Sequence, residues 1–185
     1  VIFQFKDDTN DHCEQCFSNL FYTYIKGNED KWYLENRIPT LKEARGKIVL
    51  IRRCKMDAKN CDFTPLNTGI DFSQWVDQEQ VELTPEPASL TTKGEHNAEF
   101  VIQDRFKYKP QERWDECLKP FLDSMEEFKG KYIINYTSTA GGYKGPKYNS
   151  DIINKLFVDY PLDKEKYYGT IYLDFPTEDL TTKII

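Results

Sequence analysis

The sequence predicts an α/β fold with parallel strand pairing, and three observations carry that prediction. Short apolar runs alternate with stretches whose apolar residues recur at helical spacing. One run, Ile48-Val49-Leu50-Ile51, has no period-two alternation, so it reads as a strand buried on both faces. The strand-like runs also end in polar or charged residues: Lys6, Arg53, Asp104, Thr137 and Asp174. A buried strand that ends in charge must deliver it to a cleft or to a partner, because burying a charge unpaired is prohibitive.

Residues 1–6 (V-I-F-Q-F-K) read as the first strand, with Asp7, Asp8 and Thr9 as N-cap candidates behind it. Residues 10–26 place Cys13, Cys16, Phe17, Leu20, Phe21, Tyr24 and Ile25 on one helical stripe, and Gly27-Asn28 is a C-cap signal. Pro39 and Thr40 open a short helical turn that Gly46 closes, and the strand over 47–53 follows. A long loop then runs to about residue 97, with short β content expected near 81–83. The third strand spans 99–104. A helix over 110–128 carries Trp114, Cys117, Leu118, Phe121, Leu122, Met125 and Phe128 on one stripe; Pro120 should kink it and Gly130 should end it. The fourth strand spans 131–137 and leads into a Gly-rich loop, T-S-T-A-G-G-Y-K-G-P-K-Y. A helix over 150–159, a fifth strand over 170–174 and a helix opening at Pro176 complete the chain.

Composition narrows the function classes. The chain has 185 residues, 30% charged and 39% hydrophobic, which fits one globular domain or a large piece of one. A net charge of −6 without a basic tract argues against a nucleic-acid partner. No apolar run approaches the ~20 residues of a spanning helix. The chain opens at Val1 in the body of a strand, as a mature, trimmed or fragmentary product would. Among the five cysteines, Cys54 and Cys61 flank a loop that a disulfide would close, while Cys13-x-x-Cys16 lies on an apolar stripe with no second pair at zinc spacing. The alternative is five reduced thiols, some of them in the core. The sequon Asn135-Tyr136-Thr137 falls at a buried strand end, which disfavours modification.

Five βα units cannot close an eight-stranded barrel, so either the sheet is open or about three N-terminal units are missing. In a barrel the five polar strand ends would meet on one face. Without further information each of Arg52, Arg53, Asp104 and Asp174 has a structural alternative, a rim salt bridge or a cap on the next helix.

Five ordered blocks now bear on that choice: I-P-T-L-K-E-A-R-G-K-I-V-L-I-R-R, G-I-D-F-S-Q-W, F-V-I-Q-D-R-F-K, I-I-N-Y-T-S and I-Y-L-D-F-P. In this order they resemble the C-terminal part of the phosphatidylinositol-specific phospholipase C X domain, in its bacterial-type, calcium-independent branch. The resemblance implies the C-terminal portion of a distorted TIM-type β/α barrel across 1–185, with the N-terminal units absent from this chain. It implies a phosphodiesterase of lyase type that needs no cofactor or metal. A histidine base would activate the inositol 2-hydroxyl for attack on phosphorus. A second histidine would protonate the leaving diacylglycerol oxygen, giving cyclic inositol phosphate.

Residue by residue, the resemblance places Asp174 as the carboxylate that orients the base histidine. Arg53 and Asp104 fall at inositol-hydroxyl contacts, and Lys6 at a third. Phe106 stands where the family often has a tyrosine against the sugar ring, Trp75 matches a tryptophan near the pocket, and Cys54 replaces a common aromatic. Arg52 is left with a structural role. The family's histidines and phosphate-gripping arginine lie in N-terminal blocks. This chain has only His12 and His96, neither in a Gly-Thr-His-Asp-like turn, so neither is nominated and the chain alone is expected to be inactive. The implied partners are phosphatidylinositol or a glycosylphosphatidylinositol lipid, a membrane surface contacted transiently through rim aromatics such as Tyr143, and the N-terminal half of the barrel, on this or a separate chain. The implied location is extracellular or membrane-peripheral. Two rivals remain: an inositol-headgroup-binding module that lost its histidines, and a structural scaffold.

Overall fold

The structure, a computed structural model, describes residues 1–6, 19–54, 68–73, 75, 88–91 (backbone only) and 99–184. His12, His96, Cys13, Cys16, Cys61, the first part of the helix predicted over 10–26 and the β content expected near 81–83 lie outside the described residues. The chain divides into two compact units, Val1–Trp75 with Leu90–Glu99, and Val76–Ser89 with Phe100–Ile185. Both are mixed α/β.

The first unit is built on β3 (Ile48–Arg53), the strand without alternation. β1 (Ile2–Lys6) pairs with it in parallel along its length, from Ile2 opposite Val49 to Lys6 opposite Arg53. β2 (Trp32–Tyr33) and β4 (Ile70–Asp71) pair with its start and its end, also in parallel. Val49, Leu50 and Ile51 are all buried, as the unbroken apolar run requires. Leu50 packs with Phe21, Ile25 and Cys54, where Phe21–Ile25 forms a π-helical turn ended by Gly27 at φ +81°. α1 (Leu41–Ala44) holds its four residues by a capping box: the Thr40 hydroxyl accepts from Glu43 N at 3.3 Å and Thr40 N donates to Glu43 Oε2 at 2.8 Å. Arg37 donates two bonds to the same carboxylate. The Arg37 bonds first, and the Thr40 bonds after them, depress the Glu43 carboxyl to about 2.

The second unit carries a sheet ordered β5-β6-β7-β8: Ala88–Thr91, Glu99–Gln103, Tyr132–Tyr136 and Thr170–Tyr172. β6 pairs in parallel with β7, and β7 with β8. The helix predicted over 110–128 forms in four pieces: α2 (Pro110–Arg113), a π-helical turn (Trp114–Leu118), α3 (Lys119–Asp123) and a 3-10 turn (Met125–Phe128). The widened turn lies directly before Pro120, whose ring would otherwise clash with the carbonyl four residues back. The predicted stripe is the buried one, with Phe121 and Met125 packed on Val101 and Ile133. Trp114, Leu118 and Leu122 meet Ile153 and Phe157 of α4 (Pro146–Asp159) and Leu180 of α5 (Glu178–Ile184).

Boundaries differ from expectation where a local signal was underweighted. α4 starts at Pro146, four residues before the predicted 150, because proline suits the first helical position. α5 starts at Glu178, behind Thr177, whose hydroxyl accepts from Leu180 N at 3.3 Å. The strand predicted over 170–174 pairs only through Tyr172, and that over 99–104 only through Gln103.

Gly169 closes the approach to β8 at φ +72°, and a Cβ there would lie 2.4 Å from Ile133 Cβ and 2.5 Å from Ile133 O. Gly130 has φ +84° with nothing near. Gly169→Ala is therefore expected to lose about 2–4 kcal/mol of stability, by backbone strain plus overpacking, and Gly130→Ala about 1–2 kcal/mol. Denaturant titration of the two variants checks the ranking.

Candidate functional site

Alternation along the strands separates two faces. In the first sheet Leu50 and Phe5 face the helical cluster. The opposite parity, Val49, Ile51 and Arg53 on β3 with Gln4 and Lys6 on β1, turns away from it. The two cations at the strand ends are thus register partners on one face. Arg53 is half-buried, and its guanidinium carbon lies 3.7 Å from the centroid of the Trp75 ring. Trp75 is itself held edge-on by Phe72 at 5.8 Å. A guanidinium over an aromatic face gains cation–π attraction, which helps hold its position. Lys6, Arg53 and Trp75, all singled out from sequence, are brought together here.

Arg52 takes the structural role expected of it. It is 2% exposed, and its Nη2 pairs with Asp71 Oδ2 at 3.0 Å while Nη1 donates to the Cys54 carbonyl. Burial pushes the Asp71 carboxyl up, but hydrogen bonds from Ser73 and the charge of Arg52 outweigh it, and the net shift is downward.

In the second unit Val101 and Ile133 pack on the helices, and so do Ile171 and Leu173. The other parity carries Ile102, Ile134, Tyr136 and Tyr172. Asp104 directly follows β6 and Asp174 lies two residues beyond β8, with β7 between those strands. Tyr136 and Tyr172 stack there, centroids 4.6 Å apart and planes 13° apart, which sequence reading did not single out. Burial raises the Tyr172 hydroxyl above its ordinary value.

The helix-side parity holds a polar network that fixes these ends. Gln103 is fully buried; its Nε2 donates to Asn135 Oδ1 at 2.6 Å and to Tyr136 O at 3.2 Å, and its Oε1 accepts from Arg105 N at 2.9 Å. Asp104 is thus flanked by two pinned residues. Arg113, also fully buried, donates from Nη2 to Tyr136 O at 2.8 Å. Burial lowers its guanidinium to about 10, with Cys117 and Asp104 pulling back. Asn135 is wholly inside, so the sequon is not presented. Phe106 is half-buried, and its carbonyl accepts from Thr139 Oγ1 at 3.1 Å and Ala140 N at 2.7 Å, which ties the loop after β6 to the loop after β7.

Chemically the first unit presents donors, Lys6 and Arg53, and the second presents acceptors, Asp104 and Asp174. Such groups bind neighbouring hydroxyls. No histidine occurs among the described residues, so a proton shuttle near neutral pH is not among them.

Comparison with solved structures places the fold. A structure of Staphylococcus aureus phosphatidylinositol-specific phospholipase C, from work on its membrane binding, matches 95% of this chain with a TM-score of 0.65 at 19% identity. Its F249X mutant matches with a TM-score of 0.64 at 20% identity. The Listeria monocytogenes phospholipase matches 100% of the chain with a TM-score of 0.64 at 20% identity. The chain shares its fold with these bacterial phospholipases. It spans 58% of the Staphylococcus chain and 61% of the Listeria chain. No protein-family model matches the sequence, and no curated protein does. Among the described residues no helix is long and apolar enough to cross a membrane.

The Arg52–Asp71 pair sets a pH dependence. A depressed carboxyl contributes stability that is fully present above its unfolded value of 3.8 and is lost as pH falls through the lower folded value. Asp71→Asn is expected to cost on the order of 2–3 kcal/mol near neutrality, below the range for a fully buried pair because Asp71 is partly exposed. It should also flatten the loss of stability below about pH 4. Urea titrations of both proteins from pH 7 down to pH 3 check both effects.

Proposed function

We propose that this chain is the C-terminal part, about five βα units, of a distorted β/α barrel that cleaves phosphatidylinositol to diacylglycerol and cyclic inositol phosphate. The observation that carries the reading is the fold match over 95–100% of the chain to phosphatidylinositol-specific phospholipases C, combined with charged residues at the strand ends. In this reading Lys6, Arg53 and Asp104 hold the inositol hydroxyls. Phe106 and Trp75 line the ring, with Trp75 acting through the Arg53 stack. Asp174 accepts from the base histidine and stabilises the imidazolium formed when that base takes the 2-hydroxyl proton. Both histidines and the phosphate-binding arginine belong to N-terminal units outside this chain. The reaction runs by acid–base chemistry and electrostatic stabilisation, with no metal called on.

The substrate is a phosphatidylinositol or glycosylphosphatidylinositol lipid, reached at a membrane surface from the extracellular or peripheral side. Fully exposed Tyr143, in the loop after β7, and half-exposed Phe175, after β8, suit a membrane interface because each offers an aromatic body to the acyl boundary.

A second reading is an inositol-headgroup-binding module without catalysis. It uses the same hydroxyl-binding residues, Lys6, Arg53 and Asp104, and calls on no histidine. One experiment separates the two. The chain joined to N-terminal units bearing two histidines is assayed for cyclic inositol phosphate in the presence of a chelator. The enzyme reading predicts release, cut by about 10³-fold in Asp174→Asn. Binding of inositol phosphate without release supports the module, and near-normal turnover in Asp174→Asn removes the role given to Asp174.

A further inference from the structure

Phe175 has a φ of +47°, and among the described residues no other non-glycine is positive. For a bulky side chain this is an outlier that costs about 1–3 kcal/mol and persists only where its surroundings over-determine it. What determines it is Asn154, on α4. Asn154 is 3% exposed, and its Nδ2 donates to the Asp174 carbonyl at 3.0 Å and to the Phe175 carbonyl at 3.0 Å. One amide therefore gathers two successive carbonyls, and the chain can offer both to one donor only if it bends between them. The bend falls immediately after Asp174, where pairing of β8 has already ended at Tyr172. Without the clamp nothing in the sheet ladder would fix the direction of residue 174.

The same helix makes a similar device one and a half turns earlier. Asn149, also 3% exposed, donates from Nδ2 to Thr139 O at 3.1 Å and to Gly141 O at 3.4 Å. That clamp holds the loop after β7 and does not touch the turn after β8. It provides a control of matched chemistry and burial.

We infer that Asn154 is the positioning residue for Asp174: it stores the left-handed turn at Phe175 so that the carboxylate stands in one direction. The inference rests on the reading that Asp174 orients a histidine base, and it adds the group that orients Asp174 itself. Asn154 touches neither substrate nor histidine and acts only through the turn. A glycine at 175 would accept the positive φ without strain, so the clamp and the residue it bends are separable.

The test compares Asn154→Leu with Asn149→Leu, both close in shape and lacking the donor, in the chain joined to its N-terminal units. Backbone amide exchange and the three-bond coupling at Phe175 report the turn directly. N154L should speed exchange over residues 174–177 and move Phe175 to negative φ, while N149L leaves both unchanged. N154L should lower kcat by about 10²-fold with KM unchanged, the cost of a misplaced catalytic group. Adding Phe175→Gly to N154L should recover part of kcat. If N154L does not fold, Asn154→Gln, which keeps the amide but displaces it by a methylene, is read the same way. A Phe175 that keeps positive φ and slow exchange in N154L overturns the inference, as does an equal kcat loss in N149L. If the parent protein releases no cyclic inositol phosphate while the turn responds as described, the enzyme reading fails and Asn154 keeps only its hold on the turn after Asp174.

Discussion

Polar groups at the ends of buried parallel strands must be paired, and the rest of this structure depends on how that constraint is met. Parallel strands end side by side, so whatever follows each apolar run is brought near its neighbours. In the first sheet Arg52 meets Asp71 across the β3–β4 pair, which lets a guanidinium sit almost wholly inside. In the second, Gln103 bonds Asn135 Oδ1, the Tyr136 carbonyl and the Arg105 amide together, while Asn135 Nδ2 stays buried without a hydrogen-bond partner among the described residues. An orphan in such a network would cost about 1–3 kcal/mol each, so the pairings select one arrangement of the strand ends.

One parity of each strand is committed to the helix-side packing. On the other, Lys6 and Arg53 stand together in the first unit, and Tyr136 and Tyr172 in the second. The division between Arg52 and Arg53, adjacent in sequence and opposite in role, follows from the period of two. Trp75 adds an aromatic face with the Arg53 guanidinium carbon 3.7 Å from its centroid.

Much of this was legible in the sequence. The unbroken run at 48–51 gave the central strand, and the polar endings marked Lys6, Arg53, Asp104 and Asp174 as strand-end groups, because a period and a terminal charge are local signals; their assignment to a site came only with the family resemblance. The helical stripe over 110–128 and its disturbance at Pro120 were local too. What escaped was set by tertiary partners. β2 and β4 are two residues long and exist only because β3 offers them an edge. Gln103, Asn149 and Asn154 are buried amides that donate to partners 8 to 33 residues away, and amides carry no period that would mark them as interior. Arg113 reads as an ordinary surface cation at a helix start, yet it is fully buried against the Tyr136 carbonyl. The left-handed turn at Phe175 had no glycine to announce it.

The central proposal is that charged residues at the strand ends bind a polyhydroxylated ring. Titration of isotope-labelled protein with myo-inositol, followed through backbone amide shifts, tests it most directly. The account predicts saturable shifts at millimolar ligand that include Lys6, Arg53, Asp104 and Asp174. Shifts that leave these residues out, or none at all, would contradict it.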